Sequence, residues 1–373
     1  MSQQEFHTRY RRQLILRDFG MQAQQKLQAA RVLVVGAGGL GCPVLQYLCG
    51  AGVGMIGVID DDLVSLSNLH RQVLYRTSDV GKAKVKVVAA CLQELNPDII
   101  IKAYKERLSN ANAPDIISDY DIVVDGSDNF PTRYLVNDAC VLLGKSLVYG
   151  AIAQYQGQVS VFNCQVAEGS NRPLHYRDLF PEPPGKDEVL NCSEAGVLGM
   201  LPGMIGTMMA AEVVKIITGV GRVSANELIT YDMRDHQVYR VLMTPNPDKI
   251  QMPATIAALR SFVYDEQCVA ADPLEVMAEL FTEWTQRNDV IFVDVRDAHE
   301  QPLVKDFPHV NIPLSELEER AGELKQRNIV LFCASGKRSL AAARLLLQWN
   351  DQLNVYSLKD GIHNWLQTQS SLL

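Results

Sequence analysis

The chain has 373 residues, a net charge of −8, eight cysteines, and a composition that is 47% hydrophobic and 21% charged. That length accommodates two or three domains with a buried core. The acidic balance argues against nucleic-acid binding, which requires a basic face. The polar start "MSQQEFHTRYRRQ" has no apolar stretch of the signal-peptide kind, so a cytoplasmic protein with reduced thiols is expected.

Residues 31 to 150 alternate β-rich runs with amphipathic stretches. Strands are expected at "RVLVVGA", "MIGVID", "IIIKAYK", "DIVVDG" and "SLVYGAI", and helices over 40–51, 80–95 and 130–143. Such alternation predicts a parallel sheet covered on both faces. Cys42, Cys49, Cys91 and Cys140 fall inside apolar helical patterns and read as small buried thiols. From residue 157, "GQVSVFN" and "ELITYDMRDHQVYRVLM" alternate as antiparallel strands do. Residues 165–191, rich in Pro, Gly and charge, read as a long loop. The apolar run 196–219 is interrupted by Glu212 and Lys215. Its uncharged part is shorter than the roughly 18–20 residues a membrane span needs, which predicts a core helix and no membrane partner. A second α/β rhythm begins near Asp272 with a helix "PLEVMAELFTEW", strands "DVIFVDVRD" and "NIVLFCAS", a helix "KRSLAAARLLLQWN", a strand "NVYSLKDG" and a helix "IHNWLQTQ". The expected organisation is a domain over 1–250, a linker or extension over 251–271, and a small α/β domain over 272–373.

"GAGGLG", with Gly36, Gly38, Gly39 and Gly41, stands between a strand and a helix. The first glycine permits a tight turn, Gly38 lets the backbone approach a phosphate, and Gly41 permits close helix–sheet packing, while the helix N-terminus offers N–H groups to an anion. Asp60 ends the next strand, about twenty residues on, where an acid holds ribose hydroxyls. Alone this pattern most often means NAD. "DDDLVSLSNLHRQ" then adds Asn68, Arg71 and Gln72, and "GKAKV" adds Lys82 and Lys84. Several cations and amides at one sheet end suit a triphosphate whose α–β bond must be polarised. "DGSDNFPTR" places Asp128 at another strand end, positioned to hold Mg²⁺ between phosphates.

Together "RYRRQLIL", "GAGGLG", "DDDLVSLSNLHRQ", "GKAKV", "SDNFPTRYLVND" and "NCSEAGVLGMLPG" resemble the MoeB/ThiF/HesA family of ubiquitin-activating-like adenylyltransferases. The resemblance implies a Rossmann-like ATP-binding domain with a mixed sheet. It further implies ATP- and Mg²⁺-dependent adenylation of the C-terminal glycine of a small ubiquitin-like sulfur carrier ending in Gly-Gly. By motif, Asp60 would hold the ribose, Asn68, Arg71 and Lys84 the phosphates, and Asp128 the Mg²⁺. Arg12 resembles an arginine that reaches across a homodimer to the partner's ATP. Many relatives carry two C-x-x-C pairs for a structural zinc. Here the matching regions, "NRPLHYRDLF" and "TPNPDKIQM", contain no cysteine, so no zinc is expected. Cys192 aligns with a cysteine that in some members forms a covalent adduct with the carrier, and in others is dispensable. Its place ahead of the apolar helix fits either a lowered-pKa thiol or a structural one.

"CASGKRS" follows an apolar run and opens a helix. A thiolate at the base of a loop whose N–H groups point inward is stabilised as a nucleophile. The spacing from Cys333 to Arg338 is C-x4-R, a tighter ring than the C-x5-R of cysteine phosphatases, and sized for a sulfur atom. Gly336 and Lys337 complete the ring, with Ser339 as an N-cap-type residue. With "VIFVDVRDAHE" (Asp294, Arg296) and "HVNIPLSEL", the last hundred residues resemble a rhodanese domain, which implies a persulfide on Cys333. The segment "QPLVKDFPHV" lacks the usual Gly-His-Ile-Pro-Gly run, which leaves an inactive docking copy as the other reading. One chain carrying both domains implies adenylation followed by sulfur transfer, with a cysteine-desulfurase-type or other donor. The pathway served — molybdopterin, thiamine or tRNA thiolation — is left open. Two alternatives remain: an NAD(P)-dependent oxidoreductase with a redox thiol domain, and a non-catalytic carrier-binding scaffold.

Overall fold

The computed structural model describes residues 2–164, 172–183, 196–246, 251–264, 274–324, 326–350 and 352–370. The chain divides into two compact units, Met1–Cys268 and Val269–Leu373.

The first unit opens with helices α1 (Gln3–Leu14) and α2 (Gly20–Ala29), and then builds the expected alternation. Strand β1 (Arg31–Val35) leads to helix α3 (Gly41–Ala51), β2 (Met55–Ile59) to α4 (Lys84–Leu95), and β3 (Ile100–Tyr104) to α5 (Ala113–Ser118). Strand β4 (Ile122–Asp125) leads to α6 (Phe130–Leu143), followed by β5 (Ser146–Ala153) and β6 (Gln156–Phe162). A short helix α7 (Tyr176–Leu179), a long one α8 (Met200–Thr218), strands β7 (Glu227–Asp232) and β8 (Gln237–Leu242), and helix α9 (Ile256–Ser261) complete it. The strands form one eight-stranded sheet in the order β3-β2-β1-β4-β5-β6-β7-β8. From β3 to β5 neighbours run parallel, and from β5 to β8 antiparallel. Every residue of β4 is buried, as a strand covered on both faces must be. The chain leaves β1 toward β2 on one side and returns at β4 on the other. This reversal opens a crevice at the carboxyl ends of β1 and β4, where open α/β sheets bind ligands.

Helix α8 fills the core as expected. It lies against β5 and β6 because two strand residues lack side chains. A Cβ on Gly150 would come 2.3 Å from Met209 Sδ, and one on Gly157 2.3 Å from Ile205 Cγ1. Its buried Glu212 accepts hydrogen bonds from the Ser224 N–H and hydroxyl, both at 2.9 Å.

Two buried charge clusters bind the 172–183 segment to the rest of the unit. Asp138 on α6 accepts from Arg177 Nε and Nη2 at 2.8 Å and from Tyr264 Oη at 3.0 Å. Asp178 accepts two bonds from Arg172 (2.6 and 2.7 Å), one from the His175 N–H (2.9 Å) and one from the Asn246 N–H (2.9 Å). Arg177 is only 1% exposed, so removing its partner strands a charge. Asp138→Ala is therefore expected to cost about 3–5 kcal/mol in equilibrium urea unfolding. A loss below about 1 kcal/mol, the level of a surface pair, would contradict this.

Residues 251–264 pack on the first unit. Thr255 caps α9 through Ala258 N (3.1 Å), and Leu259 and Tyr264 enter the core beside α6.

The second unit is a parallel five-stranded sheet in the order β11-β10-β12-β13-β9. Its elements are β9 (Glu275–Val276), α10 (Ala278–Trp284), β10 (Val290–Asp294), β11 (Val310–Asn311), α11 (Leu317–Arg320), β12 (Asn328–Phe332), α12 (Lys337–Trp349), β13 (Asn354–Leu358) and α13 (Gly361–Ser370). One expectation is corrected. "PLEVMAELFTEW" is not a single helix: Glu275–Val276 pairs with Ser357–Leu358 as an edge strand, and the helix starts only at Ala278. Val276 is buried against Phe281, Phe292 and Leu358, so the sheet edge takes the residues that local propensity assigns to a helix.

Candidate functional site

The glycine loop leaves β1 where it meets the turn after β4. Gly36 has φ +90°, and a Cβ on it would sit 3.0 Å from Gly126 O. A Cβ on Gly41 would come 2.0 Å from Gly36 O, so this position closes the turn against α3. Gly38 would meet nothing nearer than Gln72 Nε2 at 3.7 Å, which leaves its backbone open to the cleft, while Gly39 lies close beneath Pro202. The peptide between these glycines is clamped from both ends. Ala37 N–H donates to Asp60 Oδ2 (2.8 Å), and Ala37 C=O accepts from Tyr75 Oη (2.7 Å).

These residues border a cleft of about 370 Å³. Of the residues singled out for the nucleotide, it is lined by Gly36, Gly38, Gly39, Asp60, Asn68, Arg71, Gln72, Lys84 and Asp128; Gly41 lies behind the loop. Burial pushes the Asp60 carboxyl up, with the Lys84 charge pulling it down. Lys84 opens α4 with its side chain 5% exposed, its Nζ 2.6 Å from Asp62 Oδ2 and 3.9 Å from Asp60 Oδ2. Arg71 Nη1 rests on Ser67 O (3.2 Å) and His70 Nε2 (2.9 Å), so its loop already aims it. Buried Gln72 has no hydrogen-bond partner at Oε1 among the described residues. Asp128 is exposed at the rim. Arg12, on α1, is exposed and outside this cleft. Cys192 and Cys268 lie outside the described residues.

The sequence reading missed the support beneath Asp128. Asp125, fully buried, accepts from Ser127 N (2.9 Å), and Arg133 Nη2 donates to Ser127 O (3.3 Å). Arg133 lies over the Phe130 and Tyr149 rings, 5.3 and 5.1 Å from their centroids, with Nε 3.9 Å from Asp125 Oδ2. Burial pushes the Asp125 carboxyl up, against the Arg133 charge. The turn carrying Asp128 is thus gripped on both sides of Ser127. The signal was present in "DGSDNFPTR", an acid ending a strand and an arginine in the next helix's first turn.

In the second unit Cys333 follows β12 at the base of its loop and is buried. Ser339 Oγ lies 3.5 Å from Cys333 Sγ and donates to Gly336 O at 2.9 Å. Helix α12 starts at Lys337 with Gly336 (φ +88°) as its N-cap, so Ser339 sits inside the first turn, not at the cap. Arg338 turns to an acid: Nη1 and Nη2 make paired bonds to Glu300 at 2.6 and 2.7 Å. This pair holds the Glu300 carboxyl down to about 2. Because the folded value is depressed, the pair's contribution is complete above the ordinary carboxylate value of about 4.3 and is lost progressively as pH falls from there through about 2. Carbon-13 NMR of Glu300 should show a midpoint near about 2, returning to the ordinary range in Arg338→Met. A midpoint unmoved by that substitution would contradict the pairing.

Residues 10–251 match the ThiF family, and residues 277–368 match the rhodanese-like domain. The chain is 53% identical over 239 residues to a sulfur carrier protein adenylyltransferase of Thermus thermophilus, covering 64% of this chain and 88% of that protein. It is 38% identical to the probable adenylyltransferase/sulfurtransferase MoeZ of Mycobacterium tuberculosis, covering 90% of this chain and 86% of that one. Identity to the adenylyltransferase and sulfurtransferase UBA4 of Meyerozyma guilliermondii is 39%, covering 97% and 88%. Among solved structures, E. coli MccB with AMPCPP and MccA superposes with a TM-score of 0.53 at 23% identity, over 61% of this chain and 68% of that chain. That likeness concerns the fold alone.

Proposed function

The chain belongs to the ThiF family and ends in a rhodanese-like domain, and on that footing we propose that it adenylates a small ubiquitin-like sulfur carrier and then thiocarboxylates it. The observation that carries this reading is the single cleft that gathers Asp60, Asn68, Arg71, Gln72, Lys84 and Asp128 around the glycine loop. ATP enters as substrate. Its phosphates lie along the glycine loop and the N-terminus of α3, with the ribose hydroxyls on Asp60. The carrier's terminal carboxylate attacks the α-phosphorus, and pyrophosphate leaves with its bonding electrons. Arg71 and Lys84 neutralise the charge that develops, Lys84 exchanging Asp62 for phosphate oxygen. Asp128, exposed at the rim on a gripped turn, fits a Mg²⁺ ligand, and that ion would supply charge neutralisation between phosphates. Arg12 reaches the partner's cleft in a homodimer.

The resulting acyl-adenylate is the acceptor for sulfur. The terminal sulfur of a Cys333 persulfide, loaded by a cysteine-desulfurase-type donor, attacks the carbonyl and expels AMP. A reducing thiol then cleaves the acyl disulfide and leaves the thiocarboxylate. Cys192 is the candidate for a covalent adduct with the carrier. Fusing both domains raises the effective concentration of donor over acceptor. The chain works in the cytoplasm. We expect no zinc in it, because "NRPLHYRDLF" and "TPNPDKIQM" contain no cysteine to supply the thiolates of a tetrahedral site. ATP–pyrophosphate exchange that depends on a Gly-Gly-ended carrier tests the reading. No exchange, with NAD bound in the cleft, would favour the oxidoreductase alternative instead.

A further inference from the structure

The match to the ThiF family ends at residue 251, yet the following segment stays with the first unit and folds back over it. Its attachment is specific. Asn110 Nδ2 donates to Arg260 O (2.9 Å) and Phe262 O (3.0 Å), and Arg260 donates to Ala111 O and to Asp115 Oδ1, the latter at 2.8 Å. The segment is thereby fastened to the turn after β3. Between that turn, the start of α6 and the segment lies a second hollow of about 300 Å³, walled by Leu108, Thr132, Leu135, Phe262 and Val263. It shares Arg107, Leu108 and Thr132 with the nucleotide cleft.

The sheet order fixes what reaches this hollow. Phosphates belong at the end of β1 and ribose at Asp60, which ends β2. Strand β3 is the next neighbour outward, paired Ile59 to Tyr104, and its following turn carries Glu106, Arg107 and Leu108 into the cleft. A base attached to that ribose, on the side away from the phosphates, meets this turn. The first cleft, at about 370 Å³, must also admit the end of the carrier, and the adjoining space is mixed: Leu108, Leu135, Phe262 and Val263 offer apolar surface to the faces of a planar base, with Ser109 and Thr132 beside them as polar groups for its edge. We propose that the second hollow is the base-side end of the nucleotide site, so that Phe262 and Val263, beyond the ThiF match, wall the adenine. The proposal rests on the ATP reading above and deepens it. The segment joining the two catalytic domains is then part of the first domain's binding site.

The test is calorimetric binding of ATP, and of inorganic tripolyphosphate as a base-free probe, to the full chain. Val263, 48% exposed, tolerates enlargement, and Val263→Trp fills the hollow. ATP affinity is expected to fall about tenfold, with tripolyphosphate affinity changing by less than about twofold. Asn110→Ala, which unfastens the segment, should weaken ATP in the same direction and again spare tripolyphosphate. Equal weakening of both ligands, or no change in ATP affinity with either variant, overturns the proposal. A wild-type chain that binds NAD and not ATP overturns the parent reading along with it.

Discussion

Asp128→Ala is expected to lower carrier-dependent ATP–pyrophosphate exchange by about 10²–10³-fold while the carrier still binds. Asp128 is exposed and stands at the rim of the cleft, so its removal leaves no cavity and no stranded charge. The turn beneath it is held by Asp125 and Arg133 through Ser127, and those contacts do not involve the Asp128 side chain. The loss should therefore appear in exchange and not in thermal stability. Exchange that survives the substitution would remove Asp128 from the metal site, and retained function of the whole pathway would favour the scaffold alternative.

Cys333→Ala is expected to abolish sulfur transfer, by more than about 10³-fold, with pyrophosphate exchange retained. Cys333 is buried beneath its loop, and the Ser339 hydroxyl lies 3.5 Å from the sulfur. Alanine removes one sulfur atom from that position and leaves the loop's glycine turn and the Arg338–Glu300 pair in place. The two halves of the reaction should therefore separate: adenylate forms and is not consumed by sulfur. Transfer at the wild-type rate would make the second unit a docking copy and move the sulfur chemistry to another thiol.

What was legible in the sequence follows from how each element is buried. The strands at 31–35, 55–59 and 122–125 carry short apolar runs, Val32–Val35, Met55–Ile59 and Ile122–Val124, because helices cover both faces, and such runs stand out. The glycine loop was equally plain, since Gly36 and Gly41 sit where any side chain collides with backbone. Helix α1 was missed because it buries only Tyr10, and the few other apolar residues, Phe6 and Leu14, are scattered among charged and amide side chains. The Asp125–Arg133 pair escaped for a different reason: charges that bury each other look, in sequence, like surface charges. Glu300 escaped because its partner lies 38 residues away. The strand at 275–276 is set by a neighbour eighty-two residues later in the chain, which no local pattern reveals.

The most direct test of the account is the intact mass of a Gly-Gly-ended carrier after incubation with the chain, ATP, Mg²⁺ and a persulfide source. The account predicts that one terminal oxygen is replaced by sulfur, and that this product disappears with Asp128→Ala and with Cys333→Ala. A thiocarboxylate formed undiminished by both variants, or a carrier left unchanged by the wild-type chain, would contradict it.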